Sequence, residues 1–69
     1  MPSTVIRRFA YIPERSELLI EFVSGRRYLY LDVPPQEAEA MRAAFAKGSY
    51  FNRKIRDAYA FRELADEDQ

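Results

Sequence analysis

The residues best suited to chemistry in this chain are cations that stand beside aromatic rings. In "RRYLY", Arg26 and Arg27 run directly into Tyr28 and Tyr30. Farther along, "KGSYFNRKIRDAY" mixes basic side chains with rings and an amide over residues 47–59. Guanidinium and ammonium groups bind phosphates and rings stack on bases, so this combination is typical of nucleic-acid binding. The candidate contacts are Lys47, Tyr50, Asn52, Arg53, Lys54 and Arg56, together with Arg26 and Arg27.

A structural interpretation of the aromatic residues stands beside the functional one. A chain of 69 residues with five tyrosines and five phenylalanines needs many of these rings for its core. Phe51, Ile55 and Tyr59 recur at helical spacing, which is more typical of a packed face than of a stacking surface. Tyr28 and Tyr30 fall under the same core interpretation. Tyr50 lies outside the stripe and is therefore the best exposed stacking candidate.

Charge is unevenly distributed, although 11 basic and 11 acidic residues give a formal net charge of zero. Residues 47–62 hold five basic residues and one acid, whereas the final "DEDQ" holds three acids. We expect a single domain over residues 3–62, followed by an acidic, flexible tail over residues 63–69. Such a tail either masks the basic face or only aids solubility, and the sequence leaves both open.

Catalysis is not expected from this sequence. With no histidine and no cysteine, the chain has no Ser-His-acid arrangement, no thiol nucleophile and no thiolate metal site. The carboxylates are scattered singly, and "KGS" lacks the G-x-x-x-x-G-K framework of a phosphate loop. We therefore expect no enzyme activity, no cofactor and no metal. The start of the chain lacks an apolar signal, and no run approaches the roughly 20 apolar residues of a membrane span, so we expect a cytoplasmic protein.

Three strands and two helices are predicted from the residue patterns. Residues 3–12 are rich in β-branched and aromatic residues, residues 17–23 alternate, and residues 26–33 follow a Ser-Gly hairpin signal. Residues 33–48 predict a helix that begins at the prolines, buries Ala38, Met41, Ala44 and Phe45, and ends at Gly48. A second helix over residues 49–59 begins with Ser49 as its N-cap. Residues 60–64 are either a last short strand or an extended tail.

This element order predicts an α+β fold, in which a three-stranded antiparallel meander is covered on one face by two helices (β-β-β-α-α). The length of the hairpin loop decides which face carries the two tyrosines. A two-residue loop places them with the glutamates, whereas a three-residue loop ending in Gly25 places Tyr28 opposite Ile20 and Tyr30 opposite Leu18 on the core face. The three-residue loop is the common G1-bulge geometry, but "YLYL" is apolar on both sides and its periodicity permits either.

The motifs "YLY", "VPP" and "KGSYFNRKIRDAY", in this order, resemble the KTSC domain over roughly residues 3–62. That family is named for a domain at the C-terminus of some lysyl-tRNA synthetases, and it also occurs as small single-domain bacterial proteins. Its Y-x-Y motif corresponds to Tyr28 and Tyr30. Its Y-F-N-x-x-I-R motif corresponds to Tyr50, Phe51, Asn52, Ile55 and Arg56. The middle position of Y-x-Y often holds a polar residue in such domains, whereas this chain has Leu29.

What the resemblance implies about function is limited, because no function is established for the family and RNA binding has been suggested only from the synthetase association. The leading hypothesis is a non-catalytic binding module that engages RNA through a basic face on the second helix and the hairpin. The alternative is a protein-interaction or structural module, which pairs with another protein or with itself through an edge strand or the Arg-rich helix.

Overall fold

The computed structural model describes residues 6–64, which form one sheet with helical segments packed on one of its faces. The strands are β1 (Ile6–Ile12), β2 (Glu17–Phe22), β3 (Arg27–Tyr30) and β4 (Phe61–Leu64). Between β3 and β4 lie helix α1 (Pro35–Ala43), the single turn α2 (Lys47–Tyr50) and a π-helix (Phe51–Ile55) that continues from it. The sheet is antiparallel throughout, with strand order β1-β2-β3-β4.

The predicted α+β architecture is confirmed, with one strand more than the predicted three. Phe61 pairs with Tyr30 and Leu64 pairs with Arg27, so β4 closes the free side of β3. Residues 61–64 are therefore a strand and not an extended tail. Leu64, the last residue of β4, is also the last residue that the structure describes. Residues 65–69, which make up most of the predicted acidic tail, lie outside the described part of the chain.

The hairpin between β2 and β3 has the three-residue loop of residues 23–25. The Phe22 amide donates to the Arg26 carbonyl at 2.9 Å, and the Gly25 amide donates back to the Phe22 carbonyl at 2.8 Å. Gly25 has φ = 98°, a left-handed conformation that a side chain with a Cβ rarely adopts. Tyr28 therefore lies opposite Ile20, and Tyr30 lies opposite Leu18, on the face that the helices cover.

The core lies between this face and the helical segments. Its fully buried side chains are Leu18, Ile20, Val33, Met41, Phe51 and Ile55. Leu29 points to the opposite face, where it lies across from Leu19 and Arg62 and is itself only 6% exposed. Leu29, in the middle of Y-x-Y, is thus buried by side chains of neighbouring strands on the sheet face that the helices do not cover.

The prediction for the first helix was wrong at its C-terminal end. Helix α1 stops at Ala43 because Ala44 is extended (φ −67°, ψ 141°), and Phe45 is fully exposed instead of buried. Breaking the helix here turns the chain so that Phe51 and Ile55 reach the core. Burying two such side chains contributes about 1.5–3 kcal/mol each, which outweighs the exposure of one phenylalanine. The Lys47 ammonium donates to the Ala44 carbonyl at 2.9 Å at this break.

The predicted start of the second helix was also wrong. The helical segment begins at Lys47, with Ala46 as N-cap and no side-chain hydrogen bond to the cap, so Ser49 is inside the turn. Gly48, predicted to terminate the first helix, lies in the same turn. The predicted stripe is confirmed, because Phe51 and Ile55 are buried and Tyr59 packs against the core.

Candidate functional site

An open pocket of about 600 Å³ lies where the β2–β3 hairpin, β4 and the end of the π-helix meet. Its lining combines rings with charged and polar side chains: Phe22, Val23, Ser24, Arg26, Tyr28, Tyr30, Phe51, Arg56, Asp57 and Phe61. The volume falls within the roughly 300–1,000 Å³ typical of small-ligand sites. We call this the aromatic pocket.

The rings of the aromatic pocket form one connected cluster. Tyr28 and Tyr30 are stacked with ring centroids 6.4 Å apart, and Phe61 lies tilted against both at 5.2 and 5.1 Å. Phe22 meets Tyr28 edge-on at 5.4 Å, and Phe51 meets Tyr30 edge-on at 5.3 Å. Strand alternation produces this arrangement, since residues 26, 28 and 30 share a face and Phe61 is the cross-strand partner of Tyr30.

The rings differ in how far they are available to a ligand. Tyr30 is only 2% exposed and belongs to the core, whereas Tyr28 is half-buried. Phe61 is 49% exposed although it packs on both tyrosines. Phe61 therefore offers the largest free ring surface of the cluster, at the edge of the sheet.

The Tyr30 hydroxyl makes no hydrogen bond within residues 6–64. It is not sealed from solvent either, since the one buried polar side-chain atom without a hydrogen-bond partner in that part of the chain belongs to Glu17. Burial, with a smaller contribution from the neighbouring Tyr28, raises the pKa of Tyr30 to about 12. The Arg56 guanidinium acts in the opposite direction on this pKa, and the Asp57 carboxylate adds to the rise. Tyr30 thus lines, with a neutral hydroxyl, the pocket that Arg56 and Asp57 also line.

Two arginines and one aspartate form the charged rim. Arg26 lines the pocket, and its Nε lies 3.6 Å from Glu63 Oε2 in an exposed pair, which is worth little stability. The Arg56 Nη1 donates to Asn52 Oδ1 at 3.4 Å, one helical turn back. Arg56 forms no ion pair with its neighbour Asp57 within the described chain, so each keeps its charge available at the pocket.

A π-helical turn precedes Arg56 and Asp57 in the chain. The Arg56 amide donates to the Phe51 carbonyl at 2.9 Å, five residues back, instead of four as in an α-helix. Phe51 and Ile55 are the buried residues of this turn, and Arg56 and Asp57, which follow it, line the pocket. Single π-helical turns are frequent at functional sites.

A separate polar cluster joins α1 to the helical segment. Glu37 accepts hydrogen bonds from the Tyr50 hydroxyl at 2.5 Å and from the Tyr59 hydroxyl at 3.1 Å. The bond to Glu37 is the main cause that raises the pKa of Tyr50 to about 12, and burial followed by Glu37 raises the pKa of Tyr59. Tyr50, proposed from the sequence as a stacking residue, is half-buried and uses its hydroxyl within the protein.

The structure brings together only part of the predicted basic face. Arg26 and Arg56 line the aromatic pocket. Arg53 is exposed, and its charge partly opposes the rise in the pKa of Tyr50. Lys54 is exposed on the π-helix. Arg27 lies opposite Glu21 on the uncovered face of the sheet, and the half-buried Lys47 caps the break after α1.

Several lining residues were not predicted from the sequence. Phe22, Phe61 and Asp57 were not among the site candidates, yet they supply two rings and the acidic group. A signal for Phe61 existed in the possible last strand, because pairing of that strand with β3 places its aromatic residue opposite Tyr30. Asp57 carried no such signal, since a lone acid in a basic helix is ordinarily a solvated charge.

Two other features bear on the kind of site. Across residues 6–64, no group of acidic side chains is arranged to hold a metal ion. None of the helices in that same stretch combines the length and apolar character needed to cross a bilayer.

Comparison with known proteins identifies the family. The KTSC domain profile matches residues 2–59. A lysine–tRNA ligase of Nostoc punctiforme is 39% identical over 62 residues, a match that covers 90% of this chain and 11% of the ligase. An uncharacterized protein of Stutzerimonas stutzeri is 38% identical over 53 residues, covering 77% of this chain and 75% of that protein.

A solved structure agrees with the sequence matches. The crystal structure of a KTSC domain protein from Yersinia pestis superimposes with a TM-score of 0.82 at 28% sequence identity, covering 94% of each chain. The fold, the ordered motifs and these relatives lead to the same conclusion: the chain belongs to the KTSC domain family, a small domain that also occurs within lysine–tRNA ligases.

Proposed function

We propose that this KTSC domain is a non-catalytic module that binds single-stranded RNA through the aromatic pocket. The observation that carries the proposal is the convergence of Arg26 and Arg56 on a pocket that contains an exposed ring, Phe61. Proteins that bind single strands combine cations for phosphates with rings on which bases stack. The match to a lysine–tRNA ligase, whose name specifies a tRNA substrate, adds support.

The two functional groups have separate roles in this proposal. The Arg26 and Arg56 guanidinium groups contact phosphates on either side of the pocket, and a base stacks on Phe61. Residues 6–64 carry 11 basic and 8 acidic side chains, so this part of the chain is net positive by three. That excess favours association with a polyanion at low ionic strength.

The test is the affinity for a fluorescent single-stranded RNA of about eight nucleotides, measured by anisotropy at several salt concentrations between about 50 and 200 mM. Each phosphate contact contributes about 0.7 to the slope of log K against log salt. The double variant Arg26→Gln/Arg56→Gln should bind more weakly and lose roughly 1.4 from that slope.

A matched control removes the same charge elsewhere. Arg42 lies on α1 paired with Glu39, and Arg62 lies on the uncovered face of the sheet opposite Leu29. The variant Arg42→Gln/Arg62→Gln should retain most of the affinity. Equal losses in the two double variants, or no binding by the parent protein at low salt, contradict the proposal.

A protein-interaction module is the second candidate, and the exposed sheet edges favour it. Within residues 6–64, β1 and β4 are the outer strands of the sheet, so each has an edge to which a strand of another chain could be added. Sedimentation of the purified chain over a wide concentration range tests self-association. A monomer throughout removes pairing between identical chains from consideration.

A further inference from the structure

We infer that the aromatic pocket selects guanine among the bases of a bound RNA, with the Asp57 carboxylate accepting hydrogen bonds from the N1–H and N2–H₂ groups of the base. This inference rests on the proposed RNA-binding function and names the base that the pocket prefers. Two arginines suffice for phosphates, so an acidic side chain on the same rim calls for a separate explanation.

The charge pattern carries the argument. A carboxylate beside the path of a polyanion weakens phosphate binding, since like charges repel. Asp57 is nevertheless exposed at the pocket and forms no ion pair with either rim arginine in the described residues. It therefore offers two acceptor oxygens to a ligand group that donates, while phosphates meet the arginines.

Base chemistry then identifies the donor. A carboxylate accepts two parallel hydrogen bonds from a group with two adjacent N–H donors. Guanine presents such a pair on its Watson–Crick edge in N1–H and N2–H₂, whereas uracil presents a single N–H donor, and adenine and cytosine present one amino group beside an acceptor nitrogen. Recognition of single-stranded RNA commonly reads this edge.

The Tyr30 hydroxyl completes the arrangement. Tyr30 lines the same pocket as Asp57, and its hydroxyl makes no hydrogen bond within residues 6–64, so it is available to a polar atom of the bound base. Stacking on Phe61 holds the base at the same time, because that ring lies 5.1 Å from the Tyr30 ring. One base thus meets a ring, a hydroxyl and a carboxylate in a single pocket.

The experiment compares uridine-rich RNAs that differ at one central position, which holds guanine, inosine, adenine, cytosine or uracil. The parent protein should bind the guanine RNA roughly 10-fold more tightly than the adenine, cytosine and uracil RNAs. Inosine keeps N1–H but lacks the amino group, so its affinity should be intermediate. The variant Asp57→Asn should lose the preference, and it should bind the other RNAs equally or more tightly because it removes a negative charge.

The control variant is Asp32→Asn, which makes the same chemical change away from the pocket. Asp32 is exposed with φ = 56°, a conformation that asparagine also tolerates, so the fold should persist. Equal affinity for guanine and inosine, or a guanine preference that survives in Asp57→Asn, overturns the inference while leaving RNA binding intact. Failure of every RNA to bind overturns the proposed function instead.

Discussion

Replacing Glu37 by alanine should destabilise the domain more than replacing Glu39, the other acidic residue of α1. The two carboxylate oxygens of Glu37 accept from tyrosines 13 and 22 residues away in the chain, Tyr50 and Tyr59. Glu37 also lies in the first turn of α1, where a negative charge is favourable to the helix dipole. The variant leaves two half-buried hydroxyls without their acceptor.

The expected magnitude follows from these contacts. A hydrogen bond to a charged group contributes about 1.5–3 kcal/mol, but both tyrosines retain access to water and recover part of this. We therefore expect Glu37→Ala to lower the free energy of unfolding by about 2 kcal/mol. For a domain of this size, each kcal/mol shifts Tm by roughly 4–8 °C, so Tm should fall by about 10 °C. Thermal and urea unfolding followed by circular dichroism measure both quantities.

Glu39→Ala is the matched control on the same helix. Glu39 pairs at 3.0 Å only with Arg42 among the described residues, and both side chains are mostly exposed. Such a pair is worth about 0.5 kcal/mol or less. If Glu37→Ala cost no more than Glu39→Ala, the cluster of Glu37, Tyr50 and Tyr59 would not be what fastens α1 to the helical segment.

Three further outcomes are expected. Gly25→Ala should lower stability by about 1 kcal/mol in urea unfolding, since alanine is strained at φ = 98°; unchanged stability would contradict the hairpin geometry. Burial raises the pKa of Tyr30 from about 10 in the unfolded chain to about 12 in the folded protein. The neutral phenol therefore stabilises the folded protein below pH 10, and this stabilisation is lost as the pH rises from 10 to 12. Tyr30→Phe should reduce this loss of unfolding free energy at alkaline pH. Two pKa units correspond to roughly 2.7 kcal/mol, and the reduction should be somewhat smaller because the pocket is open to solvent. A pH profile of stability identical to that of the parent protein would refute the raised pKa of Tyr30. Phe61→Ala should weaken RNA binding several-fold by removing a stacking ring, whereas the fully exposed Phe45→Ala should not, and equal effects in anisotropy would exclude Phe61 as the base platform.

The hairpin register shows how far local sequence determines this fold. The "SG" signal after β2 is compatible with a hairpin loop of two or three residues. The alternation in "YLYL" does not distinguish the two registers, because both faces of that stretch are apolar. The choice is made by the fit of Tyr28 and Tyr30 against Phe51 and the helices, which is a tertiary contact. The stripe of Phe51 and Ile55 was predictable because it depends on helical spacing alone.

The ends of elements were less predictable, for physical reasons. The alanine-rich sequence after Met41 favours continued helix, but packing of Phe51 requires the chain to turn at Ala44. Strand β4 has two charged residues among four, so its own pattern is weak and pairing with β3 stabilises it.

The candidate site was predicted in part from its residue types. Arg26 and Arg56 were expected from the density of basic residues, and they do share a pocket. Arg27 points away because adjacent residues of a strand face opposite sides, which follows once the register is known. Asp57 lines the pocket just after the π-helical turn, and no spacing rule indicated that turn.

The most direct test of the proposed function is a map of backbone amide shifts during titration of ¹⁵N-labelled protein with single-stranded RNA. Residues 23–26 and 56–61, which contain the hairpin and helical sides of the aromatic pocket, should show the largest and saturable shifts. Residues 39–43 on α1 should shift little. Largest shifts on α1, or on the uncovered sheet face around Leu19 and Arg62, would contradict the account.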